Sequence, residues 1–132
     1  MAVLFAVSCP AITVENLDCE YRSNPLGVDV PQPALSWTLQ SDRRGERQTA
    51  YEILAASSKS LLKKDNGDLW DSGKISSGET IQISYAGKKL DSSQQVFWKV
   101  RTWDADGKVS AWSEPANWTM GILSDADWQN AK

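Results

Sequence analysis

Histidine is absent from this chain, and that single lack removes a great deal of chemistry. Ser-His-Asp and Cys-His nucleophiles, His-ligated zinc and imidazole proton shuttles are all excluded within it. Cysteine is nearly absent: Cys9 and Cys19 are too few for a tetrahedral thiolate site and lack metal-ligand spacing. No metal or cofactor is therefore expected. Basic runs are missing too, and the net charge is -3, so nothing draws the chain to nucleic acid or an anionic membrane. No apolar run approaches the roughly 20 residues needed to span a bilayer. No helical period sustained over ten residues, tandem repeat or low-complexity stretch appears.

What is present is short alternating stretches punctuated by turn residues, the pattern of an all-β domain. At 132 residues the chain has the length of one domain. "ITVENL" opens with Ile12 and Val14 and a bulge before Leu17. "RSNPLGVDVPQP" carries Pro25, Pro31 and Pro33, and proline lacks the donor that a central strand needs. "ALSWTLQS" alternates Leu35, Trp37 and Leu39 inward, and "AYEILAAS" places Tyr51, Ile53 and Ala55 in phase. A helical turn is predicted at 60–64, a brief strand at Leu69 and Trp70, and another in "ETIQISY" with Ile81, Ile83 and Tyr85 in phase. The last hairpin sets Val96, Trp98, Val100 and Thr102 against Phe97, Lys99, Arg101 and Trp103. It turns at Asp106-Gly107 and returns through "VSAWSEPANWTM", interrupted by Pro115. The expected fold is a seven-stranded antiparallel β-sandwich over residues 11–123. Residues 1–10, with the apolar "MAVLFAVSC", read as the remnant of a signal or lipoprotein leader or as an extra edge strand. Residues 124–132 read as the start of a connector.

Seven tryptophans require a role. Trp37 and Trp98 fall on inward phases among aliphatic neighbours and belong to the core. Trp103 falls on the outer phase beside Lys99 and Arg101, with Trp112 near it. There a platform for a pyranose ring competes with a ladder in which Arg101 lies over indole, and the ladder is the reading adopted. Trp118 is expected, with Trp103 and Trp112, among residues that meet a neighbouring domain, and Trp128 is the strongest candidate for such a contact. Acid–base catalysis by a carboxylate pair calls for two such groups near each other, roughly 6.5–9.5 Å apart where a water must fit between them and the substrate. Asp68/Asp71, Asp104/Asp106 and Asp125/Asp127 are the available pairs. Asp104 and Asp106 read as a solvated hairpin tip, where aspartate routinely caps turns, and "DADG" lacks the later ligands of a calcium loop. Arg43, Arg44 and Arg47, mixed with Asp42 and Glu46, read as a paired surface loop in preference to an anion clamp. Asn117 in "NWT" would be glycosylated only in a eukaryotic secretory setting.

"PALSWTL", "AYEILAAS" and "VFWKVRTWDADGKVSAWSEP" resemble strands of a fibronectin type III domain, an immunoglobulin-like sandwich, although the tyrosine common at the head of the penultimate strand is absent. "SAWSEP" resembles the Trp-Ser box of cytokine-receptor sandwiches, where arginine stacks on tryptophan. From Ile12 onward the chain resembles the amino-terminal stretch of bacterial α-L-rhamnosidases, through "NPLGVDVPQPALSW", "SDRRGERQTAY" and "WDSGK". That resemblance implies a non-catalytic, structural sandwich ahead of further domains of the same polypeptide. The catalytic carboxylates of that family lie on a helical barrel with no counterpart here, so no catalytic residue is assigned. It also implies a bacterial periplasmic or outer-surface location, with a lipid anchor at Cys9 as one form. A carbohydrate-binding module using outward tryptophans is the alternative function, and a protein-binding adhesion sandwich the next.

Overall fold

The computed structural model describes residues 12–41 and 47–122. Two antiparallel sheets pack face to face. One contains β1 (Ile12–Cys19), β2 (Ala34–Ser41) and β5 (Ile83–Ser84), in the order β1-β2-β5. The other contains β3 (Ala50–Ala56), β4 (Trp70–Asp71), β6 (Gln95–Trp103) and β7 (Ala116–Thr119), in the order β4-β3-β6-β7. Among the described residues a single helix, α1 (Lys59–Lys63), follows β3, with Ser58 accepting from the Leu61 amide as its N-cap. Among the described residues no helix is long and apolar enough to cross a membrane. The expected seven-stranded sandwich is the observed one.

Period-two alternation decides what enters the core. Along β6, Val96, Trp98, Val100 and Thr102 are fully buried, and across the ladder Ile53 and Ala55 of β3 are equally so. The second sheet contributes Val14, Leu35 and Trp37. Aromatic edges knit this interior together. Trp98 meets Trp118 at 6.0 Å between ring centroids, Trp118 meets Tyr85 at 5.9 Å, and Tyr85 meets Trp70 at 5.3 Å, all edge-on. Edge-to-face contacts set the positive rim of one ring against the negative face of the next. Tyr85 also ties down a loop, its hydroxyl donating to the Lys88 carbonyl at 2.7 Å, and burial pushes its pKa to about 12.

Two expectations are corrected. Trp118 does not face a neighbour: it is fully buried, because antiparallel register sets it opposite Val96 and therefore on the inward face. Ile81 does not continue the inward phase of Ile83 and Tyr85. Gln82 has φ +56°, which breaks the alternation and leaves Ile81 59% exposed. The bulge in β1 is present, with the register shifting between Glu15 and Asp18 and Asn16 at φ +53°. The leader reading of 1–10, the connector at 124–132, and Cys9, Asp42, Arg43, Arg44, Glu46, Asp125, Asp127 and Trp128 lie outside the described residues.

The proline-rich segment closes an edge. β7 would present an open row of backbone groups, which invites pairing with another chain. Instead the Thr119 amide donates to Pro25 O at 3.0 Å, the Val28 amide to Thr119 O at 3.0 Å, and the Asn117 amide to Asn24 Oδ1 at 3.0 Å. "NPLGV" is thus a cover for the last strand.

The two central indoles differ in one respect. Trp37 Nε1 donates to Gln48 Oε1 at 3.0 Å, and Gln48 Nε2 donates onward to the carbonyls of Ser77 and Glu79 at 2.9 Å each. Trp98 Nε1 is buried with no hydrogen-bond partner among the described residues. Substituting Trp37→Phe strands the Gln48 carbonyl oxygen, whereas Trp98→Phe removes a donor that burial already penalises. Urea unfolding is expected to show Trp37→Phe costing about 1–2 kcal/mol more than Trp98→Phe. Equal costs would contradict this account of the core.

Candidate functional site

The outer face of the four-stranded sheet concentrates the polar and aromatic groups. β6 must turn Lys99, Arg101 and Trp103 outward if Trp98, Val100 and Thr102 turn in. Glu52 stands directly opposite Arg101 in the β3–β6 register, and its carboxylate accepts from both Arg101 Nε and Nη2 at 2.8 Å. Burial raises the Glu52 pKa, as does the neighbouring Asp71 carboxyl, while the Arg101 guanidinium opposes both.

Over this strand lies Trp112. Residues 109–115 do not continue as the ladder partner expected for the returning strand, and two serines take over the pairing. The Val100 amide donates to Ser113 Oγ and the Thr102 amide to Ser110 Oγ, each at 3.0 Å. The Ser110 and Ser113 amides donate back to the carbonyls of Thr102 and Val100 at 2.7 and 2.8 Å. Both serines face β6, so Trp112 between them projects over its outer side chains. The Arg101 guanidinium carbon sits 4.4 Å from the Trp112 ring centroid and 5.5 Å from that of Trp103. Lys99 Nζ lies 4.8 Å from the Trp112 centroid and Lys74 Nζ 5.0 Å from that of Trp103. The result is a ladder, Lys74–Trp103–Arg101–Trp112–Lys99, with both rings only partly exposed. Outward does not mean wet: Lys99 is 8% exposed, because α1 and Trp112 cover it while Asp65 takes its ammonium. Trp103, Trp112 and Arg101 are thus brought together, and Trp118 is not.

The candidate acids are engaged in holding loops. Asp104 is not the solvated tip it was expected to be. It is buried, its carboxylate accepting from the amides of Asp106 and Lys108 at 2.9 Å each, while Gly107 takes φ +78° to complete the turn. Asp71 accepts from the Gly73 amide at 2.9 Å. Asp68 accepts from the Ser57 amide at 2.9 Å and its hydroxyl at 2.6 Å. Burial works against the Asp68 charge, but the Ser57 hydrogen bonds prevail and hold its carboxyl below the usual aspartate range. Cys19 is buried, and desolvation, aided by Glu20, pushes its thiol up to about 12, so it is no nucleophile at neutral pH. Among the described residues no cluster of three or more metal-ligating side chains occurs. Arg47, of the arginine-rich loop, lines a shallow depression with Gln48, Thr49 and Ser76. Sequence reasoning missed the two concavities that flank Trp112, because one of them needs α1 packed on β6.

Two antiparallel sheets packed face to face about one buried core define an immunoglobulin-like sandwich module. The model of the Rha78A-like N-terminal immunoglobulin domain matches residues 14–124, and the chain belongs to that family. It is similar to an alpha-L-rhamnosidase of Streptomyces avermitilis, 42% identical over 118 residues, which are 89% of this chain and 11% of that protein. A crystal structure of the Streptomyces avermitilis enzyme complexed with L-rhamnose superposes with a TM-score of 0.85. The structure of the alpha-L-rhamnosidase from Dictyoglumus thermophilum gives 0.86 at 38% identity, over 89% of this chain and 13% of that one. An alpha-L-rhamnosidase of Formosa agariphila is 45% identical over 106 residues, 80% of this chain and 11% of its own length. The chain therefore spans about a ninth of the curated relatives it matches.

In a double-mutant cycle of Arg101→Ala with Trp112→Ala, urea unfolding is expected to return a coupling of about 0.5–2 kcal/mol. Additivity within the error of the measurement would dissolve the ladder. A depressed carboxyl stabilises the fold above its unfolded pKa and loses that contribution as pH falls through its folded value. Asp68→Asn should therefore be less stable than the parent at pH 7, the gap closing as pH drops below the ordinary 3.8. A gap that is constant down to pH 2 would exclude the Ser57 contact as its source.

Proposed function

We propose that this chain is the non-catalytic amino-terminal sandwich of an α-L-rhamnosidase, and that it serves as a structural module for the domains downstream of it. The whole polypeptide would hydrolyse terminal α-L-rhamnose, with the acid and base supplied elsewhere in its length. The observation that carries this reading is the close superposition on two rhamnosidase structures of which the matched part is 11–13%. The state of the acids supports it. Asp68, Asp71 and Asp104 each accept backbone amides that hold turns, and Glu52 is held by Arg101, whereas a general acid and base need free access to substrate. The ladder supports it as well, since Lys74 and Arg101 lie against the Trp103 ring that a sugar would otherwise use.

The 132-residue chain is expected to release no nitrophenol from nitrophenyl α-L-rhamnoside, and measurable turnover would overturn the non-catalytic reading. Deleting the matching residues from the Streptomyces avermitilis enzyme should lower its thermal stability while leaving KM within roughly twofold. A large rise in KM with unchanged stability would instead favour a substrate-binding module. Export to the periplasm or outer surface, with a lipid on Cys9, is the accompanying proposal from "AVSC". Labelled palmitate that incorporates equally into the parent and Cys9→Ser would end it.

A further inference from the structure

Six large apolar side chains are exposed among the described residues, and three of them, Tyr21, Leu26 and Val30, fall within residues 21–30. Leu26 is 79% exposed and Tyr21 61%. Tyr21 is held in solvent by a turn that its residue type does not favour. The Cys19 amide donates to Arg22 O at 2.9 Å and the Arg22 amide to Cys19 O at 3.1 Å. These bonds close a two-residue hairpin whose central pair, Glu20 and Tyr21, have φ +51° and +62°. Asn-Gly adopts a left-handed pair of this kind readily, and a bulky side chain resists it. A turn that served the backbone alone would be made with less strain by those residues. Backbone strain of this kind gathers where function, not folding, selects the side chain. Leu26 and Val30 line a hollow of about 210 Å³, together with Glu20, Arg22 and Asp29. That volume falls below the roughly 300 Å³ at which small-ligand sites begin, but it accommodates a side chain of a facing surface. Apolar groups set among charged ones are the anatomy of a protein contact.

We propose that residues 20–30 are the docking surface for the domain that follows this one in the same polypeptide, with Tyr21 and Leu26 as anchors against an apolar patch of that domain. The occupant is indicated by where the described chain leaves the sandwich. Val28 bridges Met120 in parallel, and the Gly121 amide donates to Val28 O at 2.6 Å. A Cβ on Gly121 would stand 3.1 Å from Gly27 C and O, so the two backbones touch. Ile122, the last described residue, therefore departs beside Gly27 and Val28, which line the same hollow. The inference rests on the rhamnosidase reading, under which the chain is 11–13% of the polypeptide and a large body continues from that point. A partner joined there by a short tether meets the surface at an effective concentration on the order of millimolar, so a contact of a few side chains suffices. A second copy of the chain has no such advantage. The other exposed apolar residues are placed less well. Ile75 and Val109 bridge Tyr51 and Trp103, at the far end of β3 and β6. The Met120 amide is bonded to Gln94 O, beside the near end of β6, roughly 25 Å away along the strand.

Hydrogen exchange in the 132-residue chain, compared with the whole polypeptide, tests the proposal. The amides of Tyr21, Leu26 and Val30 are expected to exchange roughly tenfold more slowly in the whole polypeptide, and that of Ile81 at an unchanged rate. Leu26→Ser, at a side chain that is mostly in solvent, should leave the unfolding midpoint of the 132-residue chain unchanged and remove most of the slowing. Tyr21→Gly should act in opposite directions in the two settings. Relief of the left-handed turn raises the midpoint of the 132-residue chain by roughly 2–4 °C, while the slowing at Leu26 and Val30 shrinks severalfold in the whole polypeptide. Unslowed exchange, equal slowing at Ile81, slowing that survives both variants, or a lowered midpoint for Tyr21→Gly would each overturn the proposal. Self-association of the 132-residue chain that Leu26→Ser abolishes would assign the surface to a second copy and overturn it too. A whole polypeptide that turns over nitrophenyl α-L-rhamnoside without protecting these amides refutes the docking surface alone. One without turnover refutes the reading beneath it.

Discussion

Strand β6 cannot turn Trp98, Val100 and Thr102 into the core without turning Lys99, Arg101 and Trp103 to the opposite face. That constraint is backbone geometry, and the rest of the molecule answers to it. The inward residues are flanked by β3 on one side and, on the other, by β7 at Trp98 and by Ser113 and Ser110 at Val100 and Thr102, and all are fully buried. The outward residues leave two cations and an indole over a sheet with no second layer of its own. Glu52, Asp65, α1 and Trp112 supply that layer.

The serines beside Trp112 settle a related requirement. A buried strand must find partners for its amides, and an unpaired one costs about 1–3 kcal/mol. Beyond Ala116 a regular partner strand would continue to pair with β6, and it would alternate its side chains in and out. By substituting hydroxyls for backbone at Val100 and Thr102, the chain keeps those amides satisfied and keeps Trp112 on the outer side. The same segment thereby separates two hollows. One is lined by Glu15, Asn16, Asn24 and Glu114, the other by the lysines of α1 and β6. A feature that satisfies backbone hydrogen bonding also shapes the outer surface on both sides of Trp112.

Much of the fold was legible because alternation is a local property. Leu35, Trp37, Ile53, Val96 and Trp98 could be placed on an inward face from their neighbours alone, and the Asp-Gly turn from its dipeptide. The family was legible too, since motifs such as "NPLGVDVPQPALSW" are long. The structure shows what the first part of that motif does: Pro25 and Gly27 carry an irregular segment along the edge of β7, with Pro25 and Val28 bonded to Thr119. The candidate site was only half legible. Arg101, Trp103 and Trp112 were read as a ladder from alternating cations and indoles. Trp118 was misplaced because its face depends on which residue it meets across the sheet. Asp104 was taken as solvated because a turn signal says nothing of what covers the turn.

By itself the sequence determined most of the strand phases and the family: side-chain alternation and long motifs are properties of consecutive residues. Only the tertiary structure decided that Trp118 is core, that Lys99 is covered, that Trp37 is joined through Gln48 to the carbonyls of Ser77 and Glu79, and that Lys59, Lys63 and Lys99 line one hollow with Leu62 and Trp112. Each of these depends on register or packing between segments far apart in the chain, which no local period encodes.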